Sequence, residues 1–325
     1  VSAWKRVGSE ALASYVQHLK PAIRKVLKAK TEGKATSAEN AGKDGVEDGG
    51  IMFFNADEMK AGGGAGGSGG DGGGEAQAQA GEALPYASSL PADLQEAVKP
   101  LAEVFGDDTM QCFYSKQWAP REAALRRVEG QVRMMDGCDR RIFLYVVFML
   151  ESALADKIAY VLWGGLSLLR TVVANYAKDL APVEVQYSLE KLMPKIVTQL
   201  GNTNARTSQA CEQTCQFLSW KPNVGGAFIA RHILSHDHKK NVKSLEVKLV
   251  LLAQLVNDFG IGEESISAED LFAFARPCFE HRSDKVREAA VRVYVAAHKF
   301  IGATANDLIG DVKPALRSVL SKAAL

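Results

Sequence analysis

After Leu90 the apolar residues recur every three or four positions, segment after segment, and no strict alternation of apolar and polar residues marks a strand. The segments fall into successive pairs. "DLQEAVKPLAEVFGDDTMQCFYS" precedes "APREAALRRVEGQVRMM", and "RRIFLYVVFMLESALA" precedes "DKIAYVLWGGLSLLRTVVANYA". "PVEVQYSLEKLMPKIVTQLG" precedes "ARTSQACEQTCQFLSW", and "VGGAFIARHILSH" precedes "NVKSLEVKLVLLAQLVNDFG". "SAEDLFAFARPCFEH" precedes "DKVREAAVRVYVAAHKFIG", and one last helix is expected over roughly Ala305–Lys322. The pattern predicts an all-α chain.

The junctions inside the pairs fall near residues 118, 157, 204, 241 and 285. Their spacing, about 40 residues, is that of a HEAT or armadillo array of stacked antiparallel helix pairs. One pair alone leaves an apolar face uncovered, so the pairs must stack. The second helix of each pair is the more continuously apolar and is expected on the buried side. Asn204 or Thr203 is placed to cap one second helix and Ser283–Asp284 another, while Pro120 suits a first turn.

Short links put all five junctions on one edge, and each carries a basic group. They hold Lys116, Trp118 and Arg121; Lys157; Asn204 and Arg206; Lys240 and Lys243; and Lys285 with Arg287. An aromatic anchor beside cations is a common composition for a protein-binding surface. Each residue also has a plainer reading. Trp118 would fill a gap between two helices, the lysines and Arg206 would be ordinary solvated side chains, and Lys285 and Arg287 would pair locally with Asp284 and Glu288. Trp163 reads as core and Trp220 as a plug at a helix end.

Ahead of the array, residues 1–30 carry one amphipathic helix pattern that fits packing on the first repeat or membership of a neighbouring linker or coiled coil. Residues 31–89 turn polar and then glycine-rich, a composition that cannot build a core and reads as a disordered-looking insert. "IMFFNADEM" at 51–59 interrupts it and reads either as a short docked segment or as part of a mobile insert. The array itself is expected over residues 90–325.

Charge narrows the partner. With 39 Lys+Arg against 38 Asp+Glu the net charge is +1, too little for a nucleic-acid-binding chain. The most apolar stretch is bracketed by Arg140 and Glu151, too close for a membrane span. The five cysteines sit mostly in apolar helix patterns and read as buried, reduced thiols, which suits a reducing compartment. Cys211 and Cys215 lack companions for a zinc site, and His232, His236 and His238 read as a solvated basic helix end. No phosphate-loop, HExxH or GxSxG motif occurs, and the paired carboxylates lie in polar turns. The expectation is a protein without catalytic residues, metal or cofactor.

"EVFGDDTMQCFYSKQWAPREAAL", residues 103–125, resembles the opening repeat of a TOG domain, the tubulin-binding HEAT module, and within that family those of centrosomal and ciliary-tip proteins. The motif YSK-x-W-x-x-RE carries the resemblance, which extends over about 90–325. It implies that Trp118 matches the family's tubulin-facing tryptophan. By the same resemblance Arg206 falls in its second or third basic turn, Lys240 and Lys243 in the following one, and Lys285 and Arg287 in the next. The implied partners are αβ-tubulin or microtubule ends, with other ciliary-tip or centriolar proteins besides. The implied location is the cytoplasmic cytoskeleton at a cilium or flagellum tip, centriole or basal body. A scaffold for such proteins without tubulin contact is the alternative. Five pairs and one helix are fewer than the family's six pairs, and the glycine-rich insert is no family feature.

Overall fold

The computed structural model describes residues 92–135, 139–235, 241–262 and 265–323. The expected N-terminal helix, the linker with its 51–59 segment, Cys138, His236, His238 and Lys240 lie outside these residues. Fourteen α-helices fill the described chain, with no sheet among the described residues beyond a single bridge between Ile261 and Ile266. No described helix is long and apolar enough to cross a membrane.

The helices form five pairs in chain order. The first pair is α1 (Ala92–Phe105) and α2 (Asp107–Phe113) against α3 (Trp118–Met134). The second is α4 (Arg140–Ala153) with α5 (Ala159–Tyr176). In the third, α6 (Pro182–Leu189) and α7 (Met193–Gln199) precede α8 (Ala205–Ser219). The fourth is α9 (Gly226–Ser235) with α10 (Val242–Phe259), and the fifth α11 (Ala268–Ala275) with α12 (Asp284–Ile301). Two short helices, α13 (Thr304–Ile309) and α14 (Pro314–Ala323), follow and pack on α12.

Three segments that periodicity alone renders as single helices are in fact broken, each by a local backbone device. Gly106, at φ 92°, separates α1 from α2. In the third pair the break between α6 and α7 comes just ahead of Pro194, whose missing N–H is harmless in a first turn. The expected last helix is two, divided at Gly310 (φ 74°) and restarted at Pro314. Apolar spacing continues across all three breaks, so the pattern by itself does not reveal them.

The second helices form the spine. α3 packs on α5, α5 on α8, α8 on α10 and α10 on α12. Leu125, Val128 and Val132 of α3 and Leu166, Leu169 and Val173 of α5 are all buried, as are Leu249, Leu252 and Val256 of α10 and Ala290, Val293 and Ala297 of α12. Each such leucine or valine contributes roughly 1.5–3 kcal/mol by leaving water, and the series makes one continuous core.

Several polar groups inside this spine are paired, within a helix or across to the next. Glu129 of α3 accepts from Ser167 Oγ and Thr171 Oγ1 of α5, both at 2.9 Å, and from Arg133 one turn along its own helix. Arg170 donates to Thr214 Oγ1 of α8 at 2.9 Å, and burial lowers its pKa. These bonds fix the register between neighbouring repeats, which apolar contacts alone specify weakly.

Capping differs from expectation at one of two places. Asn204 Oδ1 accepts from the N–H groups of Arg206 and Thr207 at 3.0 and 3.3 Å and starts α8. Ser283 occupies the corresponding position before α12, but its hydroxyl makes no capping bond.

Candidate functional site

Along the edge made by the links inside the pairs, side chains bridge the first turn to the second, the second to the third and the third to the fourth. Trp118 opens α3 immediately after Ser115–Gln117 and is 43% exposed. Its ring stacks on Tyr160 of α5, with centroids 5.2 Å apart and planes 22° apart. Tyr160 in turn meets Trp163 edge-on at 5.2 Å. The guanidinium carbon of Arg206, in the first turn of α8, lies 4.3 Å from the Trp163 ring centre. Trp163 Nε1 donates to Thr207 Oγ1 at 3.1 Å, which fixes the plane on which Arg206 rests. An aromatic row closed by a cation therefore crosses the first three turns.

The third and fourth turns meet through backbone. Lys243 Nζ donates to the carbonyl of Asn202 at 2.8 Å. Beside it Gly201, at φ 78°, lies so close to α10 that a Cβ there would sit 2.3 Å from Ser244 Cα. At the fourth and fifth turns Glu246 and Val250 of α10 share a shallow depression with Lys285, Glu288 and Arg292 of α12.

The expected site residues divide into exposed groups and turn-builders. Lys116, Lys157, Arg206 and Lys285 are exposed and make no salt bridge with a carboxylate among the described residues. Arg121 is engaged inward. It pairs with Asp156 and donates through Nη1 to the carbonyls of Ser115 and Lys116 at 3.0 and 2.9 Å. Arg287 repeats the device six residues after His281, bonding that carbonyl at 2.7 Å and pairing with Asp284. Asn204 is the cap of α8, and Lys240 is outside the described residues.

Sequence reasoning misses Tyr160 and the role of Trp163. Trp163 is half-buried at the rim of the core, neither deep inside nor free. A signal is available, since Tyr160, Trp163, Ser167 and Arg170 follow one another at three- or four-residue spacing and form a polar and aromatic stripe on an apolar helix. Trp220 plugs nothing. It is 58% exposed, with its ring 5.0 Å from that of Phe259.

His232 is not solvated as expected. It is buried, with Nε2 3.3 Å from Glu190 Oε2, and burial lowers its pKa while Glu190 opposes that shift and Arg231 adds to it. Cys112, Cys211, Cys215 and Cys278 are buried, and burial raises each thiol's pKa, that of Cys211 to about 12. Thiols held protonated in this way are poor nucleophiles. Among the described residues no three His, Cys, Asp or Glu side chains gather as a metal site.

The human centrosomal protein of 104 kDa is 26% identical over 206 residues, 61% of this chain, which spans 22% of that relative's length. The solved TOG domain of human Cep104 superposes with a TM-score of 0.60 over 74% of this chain and 96% of that one, at 22% identity. Another solved TOG domain, described in terms of tubulin-binding specificity that promotes microtubule dynamics and mitotic spindle formation, gives a TM-score of 0.59 over 75% of this chain and 90% of that one, at 13% identity. The family model for the TOG domain of centrosomal protein CEP104 matches residues 94–293, from within α1 to within α12. With the helix pairs, the turn edge and this match in agreement, the chain belongs to the CEP104 TOG-domain family.

Proposed function

We propose that this chain is a non-catalytic tubulin-binding module that grips αβ-tubulin with its turn edge and so helps to regulate microtubule ends. The observation that carries the reading is Trp118. A tryptophan 43% exposed at the first turn, continued by aromatic rings and Arg206, is what an apolar anchor with flanking charge requires. Lys116, Lys157, Arg206, Lys243 and Lys285 supply positive charge to face tubulin carboxylates, while Arg121, Asn204 and Arg287 shape the turns that present them. Lys240, close to Lys243 in sequence, is assigned to the same contact. The kinship with a centrosomal protein supports a place at centrosomes, and we further assign the chain to ciliary tips and the distal ends of centrioles.

The test is binding of purified, unpolymerised αβ-tubulin to the wild-type chain, to Trp118→Ala and to an Arg206→Ala/Lys285→Ala double variant. Wild type binds, and each variant loses about 1–3 kcal/mol while remaining folded. Equal binding by all three would show that the turn edge is not the contact face. No binding by wild type would move the scaffold reading ahead.

A further inference from the structure

The stack at the first two turns limits how Trp118 can be used. One face of its ring is covered by Tyr160 at 5.2 Å and 22°, so Trp118 does not stand alone as a plug that a narrow notch could surround. Tyr160 is itself 52% exposed. It also meets Trp163 edge-on, and Trp163 is held by the hydrogen bond it donates to Thr207. The two exposed rings therefore form one ledge spanning two repeats, fixed before any partner arrives, with Arg206 at its far end.

We infer that Tyr160 is a positioning residue for the partner contact, setting the plane of Trp118 so that the partner meets a flat two-ring ledge followed by the Arg206 guanidinium. This rests on the tubulin-binding reading above. It adds the shape of the surface recognised: an apolar shelf rather than a single notch, with a carboxylate beyond it to meet Arg206. Pre-organisation is the physical gain, because an exposed tryptophan free to rotate would lose that freedom on binding. A stacked pair in contact should also act as a unit, so its two members should not contribute independently.

The experiment measures affinity for unpolymerised αβ-tubulin with Trp118→Ala, Tyr160→Ala, Tyr160→Phe and the Trp118→Ala/Tyr160→Ala double variant. Tyr160→Ala is expected to weaken binding roughly 5- to 30-fold, the scale of a hot-spot truncation. Tyr160→Phe keeps the ring and should restore binding to within about twofold of wild type, since the stack needs only the aromatic face. The double variant should be little weaker than Trp118→Ala alone. If Tyr160→Ala binds as wild type does while Trp118→Ala fails, the ledge is wrong and the tubulin-binding reading stands. If the two single losses multiply in the double variant, Tyr160 is an independent contact and its positioning role is overturned. Wild type that does not bind overturns both readings together.

Discussion

The guanidinium of Arg121 holds the carboxylate of Asp156 with two prongs, Nε to Oδ2 at 2.8 Å and Nη2 to Oδ1 at 3.2 Å. This pair ties the first turn to the second, and Asp156 Oδ1 also accepts from Ile158 N–H at 2.9 Å, where α5 begins. With side chains only 19% and 14% exposed, the pair is screened less than a surface ion pair. Asp156→Ala is expected to cost about 1–3 kcal/mol in urea denaturation, because it strands a partly buried guanidinium and removes the acceptor from Ile158. Arg121→Ala should cost a similar amount, and the double variant less than the sum. Additive losses would mean that the two residues do not act as a pair.

Turn geometry is tested more sharply at Gly201. Its φ of 78° disfavours any side chain, and a Cβ would also run into the backbone of Ser244, at 2.3 Å from both its N and its Cα. Gly225 has a similar φ, 84°, with nothing within 4 Å of its Cβ direction. The two glycines separate strain from collision. Gly225→Ala should cost about 1–2 kcal/mol for the left-handed backbone alone, and Gly201→Ala a further 1–3 kcal/mol or so for displacing α10. Thermal melts of both variants check the order, which would be reversed or levelled if the third and fourth turns were not in close contact.

Protonation of His232 supplies a pH dependence with a definite sign. Its pKa is lowered in the folded chain, first by burial and further by Arg231, against the opposing pull of Glu190. The unfolded chain therefore binds the proton more readily, and stability falls as pH drops from the ordinary histidine value of about 6.5 towards the lowered folded value. His232→Gln removes this contribution. Melting temperatures measured between about pH 7.5 and pH 5 should fall less steeply for the variant than for wild type, whereas parallel curves would show that His232 titrates alike in both states.

The array is legible in the sequence because its determinants are local: apolar spacing gives the helices, and the roughly 40-residue period gives the stacking. Trp118 and the basic junctions are legible for the same reason, since a residue in a short link must lie at the edge. The inward engagement of Arg121 is not, because Asp156 is 35 residues away and only stacking brings the two together. Tyr160 is hidden likewise: its importance comes from Trp118, which belongs to another repeat. The helix breaks at Gly106 and Gly310 escape the pattern because apolar periodicity averages over a single turn of irregular backbone.

Arg206 offers a test that separates charge from shape. Its guanidinium lies over Trp163 at a carbon-to-centroid distance of 4.3 Å, while its backbone N–H is capped by Asn204 at 3.0 Å. A lysine keeps the charge but not the planar group that stacks on an indole and forks towards a carboxylate. If charge alone matters, Arg206→Lys should bind αβ-tubulin as wild type does and Arg206→Ala should bind more weakly. If the stacked fork matters, Arg206→Lys should already lose about 0.5–1.5 kcal/mol, with Arg206→Ala losing about 1–3. The pre-organised row from Trp118 to Arg206 favours the second outcome. Salt distinguishes the remaining contribution, since the loss in Arg206→Ala should shrink as ionic strength rises from about 0.05 to 0.3 M while that of Trp118→Ala stays nearly constant.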